Sequence, residues 1–182
     1  MFIRILQSSC LLGTIILIKL RATKPIDPAY TGPVPGQPDV VLRQLKHDDF
    51  ERGFPAILSL LTEVGDATRK EQQTRLRVLR SSGSSLVVVL HDTVHNAIVG
   101  TASLFIEPKF IHSNGSVGHI EDVVVSEQYR GKSLGKVLID VLTDTARKHG
   151  CYKTILDCAE SRVPFYEKCG MEAKGIQMGM YH

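Results

Sequence analysis

The stretch Arg130-Gly131-Lys132-Ser133-Leu134-Gly135-Lys136 gathers residue types that can hold a phosphate. It follows a valine run, Val123–Val125, and opens an amphipathic segment. The first turn of a helix carries unpaired N–H groups and the positive end of the helix dipole. Small residues at Gly131, Ser133 and Gly135 let backbone amides close on an anion, and Arg130, Lys132 and Lys136 add positive charge. The spacing matches neither a Walker loop nor the G-x-G-x-x-G dinucleotide fingerprint. On the residues alone, two readings stand: a diphosphate cradle, or a helix entry that uses glycine for close packing.

Such a loop needs a strand to deliver it and a helix to complete it. Val117–Val125 reads as the strand. Ser133–His149 reads as the helix, with Leu134, Leu138, Val141 and Thr145 on one face and Gly150 as the stop. Upstream, the pattern predicts a strand over Val40–Lys46 and a helix from Asp48 or Asp49 to about Val64. A helix over Thr68–Ser81 follows, then strands over Leu86–His91 and Ile98–Ile106 and a polar loop over Ser113–Gly118. Downstream come a strand over Tyr152–Cys158, a short helix over Ser161–Lys168 and a final strand over Met171–Tyr181. This order implies an α/β fold, a mixed sheet with helices on both faces.

With 182 residues, 43% hydrophobic and 23% charged, the chain has the composition of one globular domain with room for a tail. Pro25, Pro28, Pro33, Pro35 and Pro38 crowd together, which reads as an extended linker. The expected boundary therefore separates an extension, residues 1–39, from a folded domain, residues 40–182. The mostly apolar run over residues 5–18 is shorter than the ~20 residues that span a bilayer. It suits either an unanchored extension or a targeting or anchoring segment. The net charge of +3 and the lack of tryptophan give no platform for nucleic acid. Cys10, Cys151, Cys158 and Cys169 fit neither a zinc signature nor a disulfide scaffold, so no metal is expected and the thiols read as reduced. Cys158, on a strand, reads as a buried small hydrophobe.

Arg130-Gly131-Lys132-Ser133-Leu134-Gly135 resembles the pyrophosphate motif of the GNAT acetyltransferase superfamily, Q/R-x-x-G-x-G/A. Within it, His119–Val125, Gly150–Cys158, Phe165–Gly170, Lys109–His112 and Leu61–Gly65 resemble the glucosamine-6-phosphate N-acetyltransferase family. The resemblance covers about residues 40–182. It implies a GNAT fold: a mostly antiparallel central sheet, helices on both faces, and splayed central strands. It also implies transfer of acetyl from acetyl-CoA to the amine of glucosamine 6-phosphate in a ternary complex, feeding UDP-N-acetylglucosamine synthesis. The alternative within the fold is a protein or polyamine amine as acceptor, and a catalytically silent acyl-CoA-binding module is a third reading.

Carried over by position, the resemblance implies that residues 130–136 and Val123, Val124 and Val125 hold acetyl-CoA. A backbone N–H of Val123–Val125 would serve the thioester oxygen. Glu121 and Asp157 become candidate bases and Tyr166 the proton donor to the departing thiolate. Asp157, ending a hydrophobic strand, is expected to have its pKa raised by partial burial. Thr62, Lys109, Phe110, Ile111, His112, Glu121, Asp122, Val123, Tyr152, Lys153 and Asp157 match sugar-phosphate positions. Alternation along a strand implies that only one of Glu121 and Asp122 faces the chemistry. The family enzyme is a homodimer whose subunits share the substrate site, and a cytoplasmic setting is expected, with membrane contact through residues 5–18 as a further possibility. Two departures stand out: Ser133 replaces the first glycine of the motif, and Gly179–His182 lacks the arginine that some members use for phosphate.

Overall fold

A computed structural model describes residues 25–181. The apolar run over residues 5–18, and Cys10 with it, lies outside the described residues. Six strands form one sheet in simple sequence order: β1 (Gly32–Val34), β2 (Gln37–Gln44), β3 (Ser85–Asp92), β4 (Ala97–Pro108), β5 (Ser116–Val125) and β6 (Cys151–Ile155). All neighbours are antiparallel except β5 and β6.

The sheet separates two cores. Leu86, Val88 and Leu90 of β3 join Leu104 and Ile120 beneath Leu134, Leu138, Ile139 and Leu142 of helix α4 (Leu134–Lys148). The alternate residues Val87 and Val89 face Phe54 and Ile57 of α1 (Phe54–Leu58) and Leu76 of α2 (Arg69–Ser82). A strand buried on both faces reads as an unbroken apolar run, which is why Leu86–Leu90 is so plain in the sequence. Helix α2 starts on a capping box between Thr68 and Glu71 and stops at Gly83, which has φ 66°.

Three expectations are corrected. The proline-rich stretch contributes to the fold: Ile26 and Val34 are buried in the α4-side core, and Ala29 N–H donates to Thr145 Oγ1 at 2.8 Å. Pro33 is tolerated because β1 is an edge strand, where a missing donor can face away from the ladder, and Pro38 of β2 falls at the β1–β2 irregularity, outside the paired register. The long helix expected from Asp48 to Val64 is broken into a 3-10 turn (His47–Phe50) and α1, because Gly53 sits at φ 92° ahead of Pro55. The expected final strand over Met171–Tyr181 does not form. A strand needs a ladder, and no strand among the described residues pairs with this segment.

Candidate active site

The parallel pairing of β5 with β6 ends at His119 opposite Ile155. Beyond that point β5 keeps only β4 beside it, and residues 156–159 lead the chain away towards α5 (Val163–Lys168). The splay opens a cavity of about 850 Å³. Its walls include Val123–Val125 on one side, Leu156 and Asp157 on the other, and Phe165 and Tyr166 of α5.

A β-bulge sharpens the splay. Thr101 pairs with Val124 but Ser103 pairs with Glu121, so β5 carries one residue more than β4 across this interval. Asp122 absorbs it with φ 55°, a left-handed conformation that aspartate tolerates better than most residues. The bulge suspends the usual alternation, and both Glu121 and Asp122 reach the cavity wall, against the expectation that only one would. Asp122 also accepts a hydrogen bond from the Ser103 side chain. Partial desolvation pushes the Glu121 carboxyl up, and the neighbouring Asp122 and Asp157 charges push it further. Desolvation likewise raises Asp122. Asp157 lies past the end of β6 and is exposed, as Glu121 and Asp122 are, so the partial burial expected for it does not occur.

The phosphate-type loop forms the far end of the same cavity. Arg130, Gly131, Ser133, Leu134, Gly135 and Lys136 all line it. Ser133 is the N-cap of α4 with φ 58° and makes no side-chain cap, so it keeps the glycine-like conformation despite its Cβ. The first-turn amides of α4 therefore remain available to an anion. At Gly135 a Cβ would lie 3.0 Å from Phe165 Cζ, so this glycine serves close packing as well as an open cradle. Arg130 and Lys136 already pair with Glu127 (2.9 Å) and Asp140 (2.7 Å). Lys132 does not line the cavity; its Nζ sits 4.7 Å from the centroid of the Tyr129 ring.

Tyr166 stacks edge-on against Phe165, with ring centroids 4.9 Å apart. Desolvation raises its pKa, and the Cys158 and Cys169 thiols add to the shift, so the phenol stays protonated at neutral pH and can give a proton. Cys158 is exposed and lines the cavity, rather than being buried. Sequence reasoning also missed Leu60, Leu61, Tyr129 and Arg162 as lining residues. Leu60 and Leu61 arrive from the turn after α1, which no local pattern in the sequence points at the cavity.

The remaining sugar-phosphate candidates gather elsewhere. Lys109 precedes a single turn, α3 (Ile111–Asn114), in which His112 and Ser113 take left-handed φ. Its His112 ring stacks on Tyr152 at 4.0 Å, and Lys153 Nζ lies 5.8 Å from the Tyr152 centroid. Phe110 is fully exposed and Ile111 largely so. Lys109, Phe110, Ile111, His112, Tyr152 and Lys153 do not line the cavity, and neither does Thr62. No group of three or more His, Cys, Asp or Glu among the described residues is placed to hold a metal ion.

The sequence and the fold are similar to those of known proteins. The Acetyltransferase (GNAT) family model matches residues 42–171. A probable glucosamine 6-phosphate N-acetyltransferase of Drosophila melanogaster is 42% identical over 161 residues, covering 87% of this chain and 74% of that protein. The glucosamine 6-phosphate N-acetyltransferase of Arabidopsis thaliana is 43% identical over 141 residues, covering 77% of this chain and 95% of its own length. The crystal structure of glucosamine-6-phosphate N-acetyltransferase from Arabidopsis thaliana superposes with a TM-score of 0.77, covering 78% of this chain and 97% of the other. The chain therefore belongs to the GNAT acetyltransferase family, and within it to the branch of the glucosamine 6-phosphate N-acetyltransferases.

Proposed function

We propose that this chain transfers acetyl from acetyl-CoA to the amine of D-glucosamine 6-phosphate, giving N-acetylglucosamine 6-phosphate for UDP-N-acetylglucosamine synthesis. The observation that carries the reading is the cavity itself. It joins an anion-ready helix end to a strand with one open edge and to carboxylates and a tyrosine of suitable protonation. The naming of the curated relatives supports the acceptor.

In this reading the donor supplies an activated acyl group, and the chain's residues bind, orient and move protons. Amides of residues 131–136 take the diphosphate, with Arg130, Lys132 and Lys136 nearby. The open edge of Val123–Val125 pairs with the amide-bearing pantetheine arm as an added strand would, and one of its N–H groups donates to the thioester oxygen. Glu121, with its raised pKa, or Asp157 accepts the proton that the substrate ammonium must lose before attack. Tyr166 returns a proton to the departing thiolate. Holding both reactants side by side removes much of the entropic barrier without a covalent acyl-enzyme.

The acceptor contacts are Thr62, Lys109, Phe110, Ile111, His112, Asp122, Tyr152 and Lys153, and they require a second copy of the chain. Ile176, Met178 and Met180 alternate along the C-terminal segment and stand in solvent in the single chain. A homodimer would cover them and bring its own surface to the exposed Lys109–His112 turn. We place the activity in the cytoplasm, in keeping with free thiols at Cys151, Cys158 and Cys169. No helix among the described residues is long and apolar enough to cross a membrane. Contact of residues 5–18 with the cytosolic face of an internal membrane is a separate proposal, tested by fractionating chains with and without residues 1–24.

The decisive assay follows CoA thiol release with glucosamine 6-phosphate, a peptide panel and polyamines as acceptors. Turnover on the aminosugar phosphate is expected, and activity confined to peptides or polyamines would overturn the assignment.

A further inference from the structure

Asp92, the last residue of β3, is a nearly fully buried carboxylate. Its Oδ1 accepts from the backbone N–H of Val94 (2.8 Å) and His95 (2.9 Å), which shapes the β3–β4 turn. Its Oδ2 meets the exposed His95 ring at 2.8 Å and accepts from the Tyr129 hydroxyl. Three of these partners are local. The fourth is 37 residues away and sits immediately before the Arg130–Lys136 loop.

That loop has few other ties. Ser126 N–H donates to Val99 O at 2.8 Å, and Tyr129 N–H donates to Ser126 O at 2.9 Å. From Tyr129 the chain passes through Gly131 at φ 78° and Ser133 at φ 58° before α4 begins. Both are positions of wide or strained backbone freedom, and the tyrosine supplies the side-chain hydrogen bond that ties this approach to a distant segment, the Arg130–Glu127 pair being local. It also carries Lys132 against its ring. Its phenol is pushed up to about 12, chiefly by the hydrogen bond to Asp92, and so remains a donor.

We propose that Asp92 is a positioning residue for acetyl transfer: through Tyr129 it fixes the loop that cradles the donor diphosphate, while lying outside the cavity itself. This deepens the acetyltransferase reading and rests on the diphosphate lying at residues 130–136. A buried carboxylate holds a phenol more firmly than a neutral acceptor would, because the bond is charge-assisted. The geometry of the cradle is then set from the opposite end of β3.

The test replaces Tyr129 by Phe, which leaves Asp92 its three local partners and the hairpin its shape. Calorimetric CoA affinity, which needs no acceptor, is expected to fall about fivefold, the scale of one charge-assisted hydrogen bond partly transmitted. The KM for acetyl-CoA should rise likewise, with kcat and the acceptor KM within about twofold of wild type. With S-acetylpantetheine, a donor lacking the diphosphate, the penalty should vanish. Asp92→Asn should weaken CoA binding in the same way, and the double variant should be no worse than the weaker-binding single, since both break one link. An equal penalty on both donors, additive single effects, or unchanged CoA affinity in Tyr129→Phe would overturn the inference. Failure of the cradle reading shows separately, as wild-type CoA affinity in Gly135→Asp.

Discussion

The two halves of the proposed site are built differently. The donor half is assembled from one contiguous stretch, Ile120–Lys136, laid between two cores and against α5. Glycines, a bulge and the open α4 end shape it within a single chain. The acceptor half, as proposed, would draw on Thr62, on Lys109–His112 and on Tyr152 and Lys153, all outside the cavity, with His112 stacked on Tyr152. If the proposed site holds, the contrast teaches that the larger ligand is met by a frame built within one chain, whereas the smaller one would be met by surfaces that a second copy completes.

Several variants would break or sharpen this contrast. Gly135→Asp should act on the donor half alone: its side chain meets Phe165 and its charge opposes the diphosphate. CoA affinity measured by calorimetry should fall about 100-fold, ~2.7 kcal/mol, with a lowered melting temperature from the contact with Phe165. A comparable loss of affinity for the sugar phosphate would blur the division. Next in size, Tyr166→Phe should lower kcat about 30-fold, within the range for a lost proton donor, with CoA affinity within about twofold. Unchanged turnover would remove its acid role.

On the acceptor side, Lys153→Ala should raise the KM for glucosamine 6-phosphate about tenfold and leave that for acetyl-CoA alone, as expected for one lost charge-assisted phosphate contact. An effect on both KM values would show that the halves are coupled. The smallest effect concerns pH. Because the folded-state pKa of Glu121 is raised, the carboxylate that accepts the ammonium proton forms only above the ordinary glutamate range. The acid limb of kcat/KM should therefore lie above 4.5, rising with pH, and Glu121→Gln should abolish that limb. An unmoved limb would shift the base to Asp157.

Much of the donor half was legible in the sequence because its signals are local. The Val run of β3, the amphipathic face of α4 and the glycine-spaced loop each announce themselves within a dozen residues or so. The bulge was not legible, since nothing in Glu121-Asp122-Val123 distinguishes a regular strand from one with a residue to spare. Nor was the Asp92–Tyr129 link, which depends on a contact between distant segments. The proline-rich stretch misled in the opposite sense: composition suggested a linker, but Ile26 and Val34 bury themselves and Pro33 joins the sheet edge. The final strand was misread because the alternation of Ile176, Met178 and Met180 is real, but no strand among the described residues pairs with it.

The extra residue in β5 also makes a trade visible at a single codon. A chain lacking Asp122 would place Val123 opposite Ala102 while Glu121 still faced Ser103 and Val124 still faced Thr101, healing the ladder. Amide exchange along β4 should slow in such a deletion, and turnover should vanish with the lost carboxylate and the lost bend. Reactivity here is maintained at the expense of a more regular, more durable sheet.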